Sequence, residues 1–193
     1  MKYIVGIDEA GRGPLAGPVS VGVVKISVDF DPSIVEGAKD SKKMTPLSRE
    51  RLYRCMYELR ATGTLDFAVG FSDAATIDRE GIVPAIRSAL AYALESLQLD
   101  PAVCDVRLDG GLKAPDHFQN QTTIIRGDQT ELAISLASIA AKVERDRLMC
   151  EIATQYPGYS LEVHKGYGTA AHLRAIKEKG MSPIHRATFC TRI

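Results

Sequence analysis

The sequence predicts an α/β fold, a five-stranded mixed sheet flanked by helices, and three observations predict it. Short β-branched runs crowd the first third of the chain, which suits hairpin-paired strands. Two further apolar runs then alternate with helical segments, which suits crossover connections. The 193 residues, 45% hydrophobic and 25% charged, suffice for one core and leave little for a second. One domain spanning 1–193 is therefore expected.

Tyr3-Ile4-Val5 opens the first strand almost at the N-terminus, and Asp8-Glu9 stand at its end, followed by Gly11-Arg12-Gly13. Pro14 to Pro18 form a rigid turn into a second strand, Val19 to Ile26, hairpin-paired with the first. Residues 27–44 are a polar loop ending in Asp40-Ser41-Lys42-Lys43. Thr45-Pro46 gives an N-cap and a first-turn proline, so a helix runs to Arg60, where Gly63 stops it. Leu65 to Phe71 is the third strand. Ser72-Asp73 caps a short helix over 74–78, and Ile82, Ile86, Leu90, Ala93 and Leu97 mark the buried stripe of a longer one.

Val103 to Leu108 is the fourth strand, ending at Asp109-Gly110, and Thr122 to Ile125 the fifth, closed by Gly127-Asp128. The longest helix spans 131–155. Its alanines (Ala133, Ala137, Ala140, Ala141) let a backbone approach the sheet closely. A glycine-punctuated loop, His164-Lys165-Gly166-Tyr167-Gly168-Thr169, leads to a last helix over 170–179.

Charge and cysteine usage exclude several function classes. Lys and Arg (24) balance Asp and Glu (24), so the chain is no general polycation, although residues 126–193 carry 10 basic against 7 acidic side chains. Cys55, Cys104, Cys150 and Cys190 show no metal spacing and are expected as buried free thiols. No signal peptide and no membrane-length apolar run stand out, which fits a cytoplasmic protein. His164, His172 and His185 lack ligand spacing and are expected not to pair, which weakens zinc and Ser/His/Asp chemistry.

Three strand ends carry carboxylates: Asp8-Glu9, Asp109 and Asp128. Open α/β sheets place their sites at that edge, and four converging carboxylates suit Mg²⁺ or Mn²⁺. Plainer readings stand beside this one. Asp109-Gly110 is also a turn signal, and Asp128-Gln129-Thr130-Glu131 has capping-box spacing, so Asp128 can equally cap the long helix. Gly11-Arg12-Gly13 is one residue off a dinucleotide fingerprint and suits close backbone approach to a sugar or phosphate. Ser41 and Lys42 offer phosphate donors or a solvated loop. Ser138 and Lys142 share one face of an apolar helix and need partners, and Tyr167 between glycines is placed to stack or to join the core.

The blocks Asp8-Glu9-Ala10-Gly11-Arg12-Gly13, Asp40-Ser41-Lys42-Lys43, Leu108-Asp109-Gly110, Arg126-Gly127-Asp128, Ala137-Ser138-Ile139-Ala140-Ala141-Lys142-Val143-Glu144-Arg145-Asp146, His164 to Thr169 and His185-Arg186 run in order from end to end. In these the chain resembles the ribonuclease H type 2 family, bacterial ribonuclease HII. The resemblance implies a ribonuclease H-like fold and an endonuclease that cuts the RNA strand of RNA–DNA hybrids. It also implies incision 5′ of single ribonucleotides in duplex DNA, with 3′-hydroxyl and 5′-phosphate products. By motif, Asp8, Glu9, Asp109 and Asp128 are the metal-binding catalytic carboxylates, and Gly11, Arg12 and Gly13 read the ribose 2′-hydroxyl. Tyr167 packs on the neighbouring deoxyribose, and Ser41, Lys42, Ser138 and Lys142 contact phosphates.

Leu136 departs from the family's usual small residue. The retained Arg12 and the start at the first strand favour the second type of ribonuclease H over the third. A monomer is expected, with little room for a clamp-binding tail after Phe189. Two rivals fare worse: a hybrid-binding module without catalysis would lack a carboxylate, and a phosphotransferase would show a G-K-[ST] loop.

Overall fold

The computed structural model describes residues 1–38, 44–191 and 193, so Ser41 and Lys42 of the 40–43 block lie outside the described residues. Strands β1 (Tyr3–Ala10), β2 (Val19–Ser27), β3 (Leu65–Ser72), β4 (Cys104–Asp109) and β5 (Gln121–Ile124) form one mixed sheet in the order β3-β2-β1-β4-β5. β1 and β2 pair antiparallel from Tyr3↔Ser27 to Ala10↔Ser20, as do β2 and β3. β1 and β4 run parallel with Ile7 opposite Leu108, and β4 and β5 run parallel with Asp109 opposite Ile124. One residue past the Ile7–Leu108 pair, Asp8 and Asp109 therefore stand at the same level of adjacent strands.

Alternation along the central strands builds two cores. Val5 and Ile7 of β1, Val19, Val21 and Val23 of β2 and Val106 and Leu108 of β4 face helix α3 (Ile82–Ser96), whose Ala85, Ile86, Ala89, Leu90 and Ala93 are buried at helical spacing. Helix α1 (Pro46–Ala61) and the long α5 (Leu132–Gln155) cover the opposite face. There Val24, Ile26, Phe67, Tyr53 and Met56 pack against Leu136, Ile139 and Ala140. Each fully buried side chain of this kind contributes roughly 1.5–3 kcal/mol. Leu136, the family departure, lies wholly inside this second core.

The end signals work as read. The Thr45 hydroxyl accepts from Ser48 N at 3.2 Å with Pro46 in the first turn. Asp73 accepts from Thr76 N at 2.8 Å and starts α2 (Ala74–Glu80), which runs two residues past its expected end. The fifth strand sits one residue earlier than read, and Ile125 is exposed beyond it. Short turns the periodicity does not resolve, α4 (Gly127–Thr130) and α6 (Leu161–His164), flank α5, and α7 (Ala170–Lys179) closes the chain. Of the cysteines, Cys104 and Cys190 are buried but Cys150 is exposed, against expectation. No helix among the described residues is long and apolar enough to cross a membrane.

Candidate active site

The parallel pairing of β1 with β4 brings the first three acids together. Asp8 is 2% exposed, and its Oδ1 accepts from Glu9 N at 2.8 Å. Its Oδ2 is buried with no hydrogen-bond partner, a position a fold rarely leaves to a carboxylate. Burial pushes the Asp8 pKa up to about 7; the nearby Ser138 hydroxyl opposes this, while the charges of Glu9 and Asp109 add to it. Glu9 is raised in the same way, with Arg12 pulling against the shift from 3.3 Å.

Asp109 Oδ1 accepts from Gly127 N at 2.7 Å, which ties the fourth strand to the turn carrying Asp128. Arg126 takes a left-handed conformation (φ 57°) to deliver that N–H, a rare state for a residue with a side chain. Asp128 follows, 1% exposed. The capping-box reading of Asp128 is overturned. It sits inside the separate turn α4, and Glu131, the residue before α5, makes no side-chain cap bond. The docking of Gly127 on Asp109 places Asp128, and the spacing to Glu131 does not.

This donor set is all oxygen and suits a hard divalent cation. Among the described residues, no group of three or more His, Cys, Asp or Glu side chains closes into a cage. Two of the acids hold other partners: Glu9 pairs with Arg12, and Asp109 Oδ1 takes the Gly127 N–H.

Gly11-Arg12-Gly13 leaves the same strand. Gly11 has φ +86°, and a Cβ there would lie 2.0 Å from Arg145 Nε, so only glycine fits. Gly13 faces open space, with nothing within 4 Å of the point where a Cβ would stand. Two guanidiniums, both wholly buried, support the loop from within. Arg145 donates to the carbonyls of Pro18 (2.8 Å), Lys165 (3.0 Å) and Ala16 (3.3 Å), and Arg186 to those of Gly11 (2.7 Å), Arg12 (3.0 Å) and Gly17 (2.9 Å).

A groove of about 470 Å³ runs along this loop, lined by Glu9, Ala10, Gly11, Arg12, Gly13, Arg49, Ser138, Lys142 and Tyr167. Ser138 and Lys142 therefore share one surface with Gly11-Arg12-Gly13, and their helical spacing puts both on one face of α5. Lys142 pairs with Asp146 at 2.8 Å, and its ammonium lies 5.6 Å from the centre of the Tyr167 ring. Tyr167 is 42% exposed, so its ring is open to a partner.

Sequence reasoning missed three things here. Arg49 enters the groove from α1. Arg186 was visible in the His185-Arg186 block but carried no assigned role, and no local signal marks an arginine as buried. The histidines also meet, against expectation: His172 Nε2 lies 3.1 Å from His185 Nε2, and the His164 and His172 rings stack at 4.3 Å. His164 and His172 contact the backbone around Gly166 and Tyr167, so the trio braces the segment that presents Tyr167.

Known proteins resemble this chain over nearly its whole length. The family model for Ribonuclease HII matches residues 5–192. A Ribonuclease HII of Dehalococcoides mccartyi is 47% identical over 186 residues, covering 96% of this chain and 85% of that protein. Among solved structures, the ribonuclease H2 from Pyrococcus horikoshii matches with a TM-score of 0.75 at 27% identity, over 96% of this chain and 93% of that one. The PCNA:RNase HII complex from Archaeoglobus fulgidus gives a TM-score of 0.78 at 22% identity, over 98% and 95%, a likeness of fold. With the family model matched over nearly its whole length and this identity to a relative, the chain belongs to the ribonuclease HII family of endoribonucleases.

Proposed function

We propose that the chain is a divalent-metal-dependent endoribonuclease acting as one catalytic unit over 1–193. It cuts the RNA strand of RNA–DNA hybrids and incises duplex DNA 5′ of a single ribonucleotide, leaving 3′-hydroxyl and 5′-phosphate ends. One observation carries the reading: Gly11-Arg12-Gly13 continues directly from the strand that bears Asp8 and Glu9, along one groove. The groups that test the sugar and the groups that act at its phosphate thus share a rigid element.

Asp8, Glu9, Asp109 and Asp128 hold Mg²⁺ or Mn²⁺ in this reading. The buried Oδ2 of Asp8 supports it, because a cation is the partner that position lacks. Bound there, such ions supply the charge that makes water nucleophilic near neutral pH and stabilises the departing 3′-oxygen. The backbone of Gly11, Arg12 and Gly13 takes the 2′-hydroxyl, the group that distinguishes RNA from DNA. Ser138 and Lys142, with Ser41 and Lys42, hold flanking phosphates, and Tyr167 packs on the sugar next to the ribonucleotide.

The direct test is incision of a duplex holding one ribonucleotide. A single cut on its 5′ side is expected with Mg²⁺ or Mn²⁺, with none in EDTA and none in an all-DNA control. An intact duplex in both cations, or cutting in EDTA, would overturn the reading. Tyr167→Ala separates the two substrates. Stacking on an aromatic ring is worth about 1–3 kcal/mol, so single-ribonucleotide incision should fall roughly 5- to 150-fold further than cleavage of a long hybrid. Equal losses would remove Tyr167 from the junction.

A further inference from the structure

Arg186 belongs to the C-terminal segment, far in sequence from the reading loop, yet it is 0% exposed and aims two donors at that loop and a third at Gly17 in the turn after it. Taking a guanidinium out of water is costly unless its partners are well placed. No ion pair involving Arg186 is present among the described residues, and Arg145 beside it is another cation. Apolar side chains would fill the space more cheaply. What a planar fork provides, and they do not, is simultaneous direction of the Gly11, Arg12 and Gly17 carbonyls.

Those carbonyls fix more than themselves. In a trans peptide the C=O of one residue points opposite to the N–H of the next. With Gly11 O and Arg12 O turned inward onto Arg186, the N–H groups of Arg12 and Gly13 are turned outward, away from the buried guanidinium. We propose that Arg186 is a positioning residue for sugar recognition: from inside the protein it sets the peptide planes whose outward N–H groups meet the ribose hydroxyl. This rests on the reading of Gly11-Arg12-Gly13 as the sugar reader.

The segment that carries Arg186 is itself fastened at both sides. Arg186 N donates to Leu15 O at 2.8 Å, and His185 bridges Ala16. On the other side, Asp78 of α2 accepts from Ala187 N (2.7 Å), Thr188 N (3.0 Å) and the Thr188 hydroxyl (2.5 Å). Release of the Asp78 contacts slackens the segment and removes a carboxylate charge that attracts the guanidinium, while the three donors of Arg186 stay in place.

The experiment measures binding in EDTA to two duplexes that differ in one 2′-hydroxyl, and takes the ratio of their dissociation constants. Arg186→Lys keeps the charge but loses the fork, and should lower that ratio at least fivefold below its melting temperature, with less change for the all-DNA duplex. Asp78→Ala should lower it in the same direction by a smaller factor. Gly13→Ala adds a methyl to open space in the protein, so a lost ratio there reports the approach of substrate to the loop. A folded Arg186→Lys protein with the wild-type ratio, beside a Gly13→Ala protein that has lost it, overturns the positioning role and leaves the sugar reading standing. If both keep the ratio, the sugar reading falls and the inference with it. Should Arg186→Lys fail to fold, Asp78→Ala decides, and an unchanged ratio in that variant overturns the proposal.

Discussion

Asp8→Asn should reduce incision of a one-ribonucleotide duplex by more than about a hundredfold, the upper end of what losing an outer-shell partner costs a metal site. The same variant should be more stable than wild type in metal-free buffer at alkaline pH. The sign follows from burial. A carboxyl whose folded pKa is about 7, raised from 3.8, binds its proton more tightly in the native state. It carries no penalty below the unfolded pKa, and the penalty grows as pH rises from about 4 to about 7. Above that range it amounts to about 4 kcal/mol at 1.36 kcal/mol per pH unit.

Asparagine carries no such charge. The difference in unfolding temperature between Asp8→Asn and wild type in EDTA should therefore widen between pH 5 and pH 8. Mg²⁺ or Mn²⁺ should then raise the wild type by mass action and the variant much less. Full cleavage by the variant, or a temperature difference that ignores both pH and cation, would take Asp8 out of the site.

Much of the arrangement was legible because it is local. The apolar runs before Asp8 and Asp109 are strand signals, and a parallel pairing of those strands levels the two acids without further information. The Ser138–Lys142 spacing places both on one helical face whatever the helix packs against. What was not legible depends on contacts distant in sequence. Asp128 has the spacing of a cap, and only the bond from Gly127 to Asp109 shows that its turn answers to the neighbouring strand. His172 and His185 are each ordinary in sequence and become a pair only when the C-terminal segment folds over α7. Arg186 offends the expectation that charge lies outside, because its partners stand near the opposite end of the chain. Ser41 and Lys42, read from their donor groups and from the family resemblance of their block, lie outside the described residues.

The alanines of α5 told half of a packing rule, and the other half gives the second large effect. Where Ala133 and Ala137 meet the sheet, the strands answer with Gly6 and Gly22. A methyl on Gly6 would lie 2.0 Å from the Ala133 carbonyl carbon, and one on Gly22 2.2 Å from the Ala137 oxygen. Both obstacles are backbone, so no side chain can swing aside, and α5 must lift from β1 as a body. Gly6→Ala should then cost about 3 kcal/mol, the upper part of the overpacking range, and lower the unfolding temperature by roughly 6–12 °C for a protein of this size. Gly111→Ala is the matched control, since nothing lies within 4 Å of its added carbon. Equal melting of the two variants would refute the close approach. Lifting α5 also draws Ser138 from Asp8, two residues along β1 from Gly6, so the surviving folded fraction of Gly6→Ala should cleave more slowly per molecule. Packing and chemistry are thus coupled through one glycine, and a variant that lost stability but kept full specific activity would show them separable.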